Sequence, residues 1–162
     1  MISILLIIFA VLLLIIHKYT MDEKEKNLDL EGVLRDITGE AMKVHAKYKP
    51  GLLESAYEAA LAYLLEQKGY KVERQVFLPI YWDDVQLEQA YRLDMVVNGQ
   101  IIIELKAVSY VDTPHRRQLW SYMNLTHTAY GMLINFGSEH LYTECYHRHP
   151  QTGYIKKMRE ED

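Results

Sequence analysis

Asp94, Glu104 and Lys106 fall close together in the stretch "RLDMVVNGQIIIELKA", residues 92–107. Two carboxylates held near one another repel. That repulsion is relieved by a shared proton or by a bound divalent cation. A further carboxylate, Glu54 in "GLLESAY" at 51–57, lies forty residues upstream. The competing reading makes Asp94, Lys106 and Arg92 a salt-bridge network on an exposed face.

The elements carrying these residues follow from periodicity. Asn98-Gly99 is a turn signal between two apolar runs, so 92–107 reads as a β-hairpin. Side chains alternate faces along a strand. Tyr91, Leu93, Met95 and Val97, then Ile101, Ile103, Leu105 and Ala107, form an apolar face. Arg92, Asp94 and Val96, then Gln100, Ile102, Glu104 and Lys106, form the other. A two-residue loop would set an odd position opposite an even one, which misaligns the faces. A three-residue loop of type I with a G1 bulge keeps them aligned. It is expected to pair Val96 with Gln100, to set Asp94 against Ile102, and to leave Glu104 one diagonal step away.

Glu54 opens a helix expected over about 52–68 and closed by Gly69. Leu53, Ala56, Tyr57, Ala60, Leu61 and Leu64 form its apolar stripe. Glu54 lies about 20° from the direction of Leu61, at the stripe's edge. Two readings are open there. The carboxylate either answers the helix dipole in the first turn or reaches a cation in a cleft. Glu66 points away to solvent.

The chain has 162 residues, 49% hydrophobic and 25% charged, which suits one globular domain with a sizeable core. Cys145 is the single cysteine, so an intrachain disulfide is excluded. The histidines and cysteine show no CxxC or HExxH spacing, which argues against zinc. A net charge of −4 excludes capture of nucleic acid by overall charge. A polyanion would need a local patch, or metal ions held by the carboxylates.

The expected order is helix (from Leu30), helix, a strand from Val72 to about Ile80, the hairpin, a helix at 113–126, and two strands, "AYGMLINF" and "HLYTECYH". Thr113 is the expected cap of the third helix, with Pro114 in its first turn. "DDVQLEQ" reads as a turn or short extension, and "KKMREED" as a frayed charged tail. This order implies an α/β or α+β domain, a mixed sheet flanked by helices. The domain is expected over 30–150, after an apolar segment at 1–20 and a charged linker at 21–29, and before a tail at 151–162.

Residues 1–16, "MISILLIIFAVLLLII", carry no charge and would span roughly 24 Å as a helix. They read as a membrane anchor or as a mis-assigned start ahead of Met21. As an anchor, the following His17, Lys18, Lys24 and Lys26 would keep the domain cytoplasmic, tethered to the inner face. A signal peptide fits less well, because a basic n-region and a cleavage site are missing.

"GLLESAY" matches a GxxExxY signature with Gly51, Glu54 and Tyr57 in place. Together with "YRLDMVVNGQIIIELKAV" it resembles the GxxExxY protein family over most of residues 30–145. That family is assigned to the PD-(D/E)XK nuclease superfamily, and the resemblance implies its restriction-endonuclease-like core. "QLWSY" adds Gln118 and Tyr122, four apart on one helix face, as in related QxxxY elements. Leu93 departs from the proline of the superfamily name.

The resemblance implies a Mg²⁺-dependent nuclease, with Mn²⁺ as a substitute. Asp94 and Glu104 would ligate the cation, joined by Glu54 directly or through water. Lys106 would orient the nucleophile and stabilise developing charge. Gln118 and Tyr122 would position the lysine, water or phosphate. The implied partner is nucleic acid, DNA before RNA, with Arg74, Arg116 and Arg117 as candidate phosphate contacts. The alternatives are a catalytically silent binding module on the same fold, and a small membrane-tethered structural protein.

Overall fold

A computed structural model describes residues 30–158 of the chain. The proposed anchor at 1–16, the linker at 21–29 and residues 159–162 lie outside the described residues. Among the described residues no helix is long and apolar enough to cross a membrane. The chain divides into two units, Met1–Asp36 and Ile37–Asp162. Of the first, residues 30–36 are described and helical. The helical run continues to 48 in the second unit, where Ile37, Ala41 and Val44 are buried. The helix over 30–48 is α1.

The rest of the second unit is one six-stranded sheet with two further helices. After α1 come α2 (Glu54–Gln67), β1 (Val72–Trp82), β2 (Val85–Val97) and β3 (Ile101–Lys106). Then follow α3 (Thr113–Thr126), β4 (Tyr130–Asn135), β5 (Tyr142–Arg148) and β6 (Ile155–Lys157). The strand order is β1-β2-β3-β4-β5-β6. Only β3 and β4 run parallel, joined through α3, and the other neighbours are antiparallel. Every residue of β3 and β4 is buried, as expected for a parallel pair covered on both faces.

Four local expectations are corrected. "DDVQLEQ" is a turn followed by a long strand rather than a short extension: Asp83, at φ 51, turns the chain and β2 starts at Val85, giving a long β1–β2 hairpin. The tail is not wholly frayed, since Tyr146, His147 and Arg148 pair with Lys157, Lys156 and Ile155. The cap of α3 is Asp112 rather than Thr113. Its carboxylate accepts from the His115 amide at 3.3 Å, and the His115 ring accepts from the Asp112 amide at 3.2 Å. Asp112→Ala is expected to lower stability by about 1 kcal/mol. A denaturant midpoint unchanged by that substitution would count against the capping box.

The fourth correction concerns the β2–β3 loop. It spans three residues, as parity required, because Val97 pairs with Ile101, Val96 with Ile102 and Met95 with Ile103. The turn, however, is not a type I with a G1 bulge. Both Asn98 and Gly99 are left-handed, at φ 53 and 66, and the Gln100 amide donates to the Val97 carbonyl at 3.0 Å. Asn98 is held there by the start of β1: its amide donates to the Lys71 carbonyl at 2.8 Å, and its side-chain oxygen accepts from the Lys71 amide at 3.0 Å. The register therefore slides by two residues, preserving parity. The pairing ends at Met95↔Ile103, so Asp94 lies just beyond it instead of facing Ile102.

Candidate functional site

The β3 face bearing Ile102, Glu104 and Lys106 lies under α3. Ile102 clusters with Leu119, Tyr122 and Met123 of α3 and with Leu133 of β4. The charged face is thus interior, which overturns the exposed salt-bridge reading. Glu104 is 0% exposed and Lys106 8%. One Glu104 oxygen, Oε1, accepts from Lys106 Nζ. The other, Oε2, is buried and has no hydrogen-bond partner among the described residues. Asp94 Oδ2 accepts from the Leu105 amide at 2.9 Å, which ties β2 to β3 beside Glu104.

Glu54 reaches the same place from α2. Gly51, at φ 127, makes the turn before the helix, a conformation suited to glycine. Tyr57 secures that turn: its hydroxyl donates to the Lys49 carbonyl and accepts from the Leu52 amide at 3.0 Å. Its ring stacks on Phe136 at 4.7 Å. The inward face of α2 is rotated from the expected stripe. Leu53 is 79% exposed, whereas Tyr57, Glu58, Leu61, Ala62 and Leu65 are buried. The Ala107 amide, just past Lys106, lies close enough to favour the charged form of Glu54. That backbone is itself clamped, because Asn135 accepts from the Val108 amide at 3.0 Å and donates to its carbonyl at 2.8 Å.

The charges interact strongly. Burial, then the like charge of Asp94, pushes Glu104 up to about 7 despite the adjacent ammonium. Burial likewise raises Glu54 and Asp94, with Glu58 adding to both, while Lys106 opposes. Burial would lower Lys106, but Glu104, Glu54 and Asp94 together raise it. Tyr122 is raised by burial, and it senses Glu104, Asp94 and Lys106. Its hydroxyl accepts from Gln118 Nε2 at 2.9 Å, so the two α3 residues contact each other above the carboxylates.

The sequence profile of the PD-(D/E)XK nuclease superfamily matches residues 31–148. The chain belongs to that superfamily. No curated protein and no solved structure matches the chain significantly. The mixed α+β sheet with flanking helices is consistent with a PD-(D/E)XK fold. Leu93 at the position of the superfamily's proline is buried at 3% and packs with the α3 cluster.

Six residues expected at a PD-(D/E)XK site, Glu54, Asp94, Glu104, Lys106, Gln118 and Tyr122, are thus gathered between α2, the β2–β3 pair and α3. The arginines are not. Arg74 Nε binds Glu58 at 2.7 Å, and Arg116 Nε binds Glu144 at 2.8 Å. Arg117 is exposed in the first turns of α3. His45 hydrogen-bonds the Ser138 carbonyl at 3.0 Å. Two residues were missed. Glu58, one turn after Glu54 in "ESAYE", is 3% exposed, and the i, i+4 spacing was its available signal. Asn135 gave none, since a strand-end asparagine looks like an ordinary turn residue.

Proposed function

We propose that this chain is a divalent-cation-dependent phosphodiesterase acting on nucleic acid, DNA before RNA, and that it belongs to the GxxExxY group through Gly51, Glu54 and Tyr57. Glu104 carries the reading. A buried carboxylate oxygen without a partner is costly, and a cation ligand would satisfy it. Mg²⁺ needs only one or two protein carboxylates and keeps several waters. Asp94 and Glu104 fit that demand, and Mn²⁺ accepts the same oxygens. When bound, such a cation supplies an activated water and neutralises phosphate charge.

The chain's own groups do the rest. Lys106, held protonated by the surrounding carboxylates, donates to a phosphate oxygen or to the attacking water as charge develops. Glu54, beside the Ala107 amide, holds water on the α2 side. The Tyr122 oxygen already accepts from Gln118, so its own proton is free for a phosphate or water oxygen. Arg117 can meet the phosphate backbone at the start of α3.

A silent binding module is the second reading. It is favoured by Lys106 occupying Glu104 Oε1, and by the absence, among the described residues, of three ligating groups gathered for a metal. One assay separates the two. The full-length protein should cut single- or double-stranded DNA or RNA in Mg²⁺ or Mn²⁺, and both EDTA and Asp94→Ala should stop it. Substrates left intact in either cation, or cut equally by Asp94→Ala, would sink the catalytic reading.

A further inference from the structure

Five non-glycine residues have positive φ among the described residues: Lys49, Gln75, Asp83, Asn98 and His127. Four stand at helix ends or turns, where such a conformation is ordinary. Gln75, at φ 52, stands inside β1. Glutamine has no intrinsic preference for the left-handed region, so surrounding structure must impose it.

The group bound to its side chain is Glu58. Gln75 Nε2 donates to Glu58 Oε2 at 2.6 Å, and Arg74 Nε donates to Oε1 at 2.7 Å. Both oxygens of one buried α2 carboxylate are thus spent on two successive β1 residues. The consequence falls on Asp94. The β1–β2 register passes from Arg74↔Met95 to Val76↔Leu93 without pairing Gln75 to Asp94. On the other side, the β2–β3 pairing ends at Met95↔Ile103. Asp94 is therefore unpaired toward both neighbouring strands, and its carboxylate takes the Leu105 amide.

We infer that Glu58 is a positioning residue of this site: by holding Gln75 left-handed it interrupts β1 opposite Asp94 and lets that carboxylate turn onto β3 beside Glu104. The inference rests on the reading of Asp94 as a cation ligand. It needs no contact between Glu58 and the cation. Glu58 acts through the backbone of β1, as groups supporting a ligand commonly do through orientation.

Gln75 is exposed, so it can be replaced without changing an apolar core residue, and each replacement releases the same Glu58 oxygen. The full-length protein carries two readouts: the Leu105 amide proton resonance, shifted downfield by a carboxylate acceptor, and Mn²⁺ affinity by titration calorimetry. Gln75→Val, whose β-branch resists positive φ, should move Leu105 upfield and weaken Mn²⁺ binding about tenfold or more. Gln75→Gly accepts the conformation unaided and should change neither. Glu58→Ala should behave like Gln75→Val, and adding Gln75→Gly to it should return both readouts toward wild type. A purely structural loss would not be repaired by a glycine on the surface. The inference is overturned if Gln75→Val leaves the Leu105 resonance in place, or if the double variant stays as altered as Glu58→Ala. Wild-type protein that binds no Mn²⁺ would defeat the cation reading instead, and the Leu105 resonance would still decide the role of Glu58.

Discussion

Lys106→Ala is expected to lower the cleavage rate by about 10²–10³-fold while binding Mn²⁺ at least as tightly as wild type above pH 8. The split follows from the geometry. Lys106 Nζ occupies Glu104 Oε1, so it competes with a cation for one of two ligand oxygens. It is also the nearby positive charge felt by Glu54, Asp94 and Glu104 alike. Without it, three carboxylates face one another with less to balance them, and a divalent cation is the remaining remedy. The value of about 7 for Glu104 already includes the lowering by the ammonium, so Glu104 lies higher in the variant, and proton competition for that oxygen fades as the pH is raised further. The rate should nonetheless fall, because the ammonium that would meet the developing phosphate charge has gone. Asp94→Ala is the contrast, since it removes a ligand and should lose affinity and rate together. If Lys106→Ala also lost Mn²⁺ binding in proportion to rate, Lys106 would be holding the site's shape rather than serving the reaction.

Alternation placed Glu104 and Lys106 on the face of Ile102, and β3 keeps it; β2 does not, because Leu93 joins Ile102 under α3 and Tyr91 meets Tyr122, so the faces expected for odd and even residues switch near Asp94. The depth of the charges was not legible. Glu104 is fully buried because α3 covers that face, and nothing in "IIIELK" specifies which helix will cross it. The register was half legible. Parity demanded an odd loop, but the turn type depended on Asn98 binding Lys71, a contact between residues twenty-seven positions apart. The stripe on α2 was misjudged for a related reason. Hydrophobic spacing favoured Leu53, whereas the buried face includes Glu58, whose burial is tolerated only because Arg74 and Gln75 satisfy it. Sequence pattern sees apolar residues. A buried charge becomes visible only with its partners, and here they lie on another element. Thr113-Pro114 marked the helix start correctly, yet the cap fell to Asp112, since proline suits either of the first positions and leaves the boundary loose by one residue.

Glu144 should prove a principal electrostatic support of the fold, and comparison with Glu104 shows why. Glu104 pairs with Leu133, and Leu133 with Glu144, so the two glutamates share one row of the sheet, roughly 10 Å apart. Both are buried, and burial pushes both up. Glu144 nonetheless lies at about 2, because hydrogen bonds from Arg116, Lys157, Tyr142 and Tyr146 outweigh burial. These tie α3, β5 and β6 together. Glu104 has one cation and an empty oxygen, and lies at about 7. One carboxylate is fully committed to structure, and the other is left unsatisfied where ligand chemistry is proposed. The sign for Glu144 follows from its lowered value. Unfolded, it titrates near 4.5; folded, near 2. Its stabilisation is therefore complete above about pH 4.5 and is lost as pH falls toward 2, amounting to about 3 kcal/mol. Glu144→Gln should lower the melting temperature at pH 7 by roughly 6–12 °C and flatten the acid limb of the stability profile between those values. Below its melting temperature the variant should keep its Mn²⁺ affinity, because Asp94 and Glu104 are untouched. An acid limb as steep as that of wild type would show that other groups govern acid unfolding.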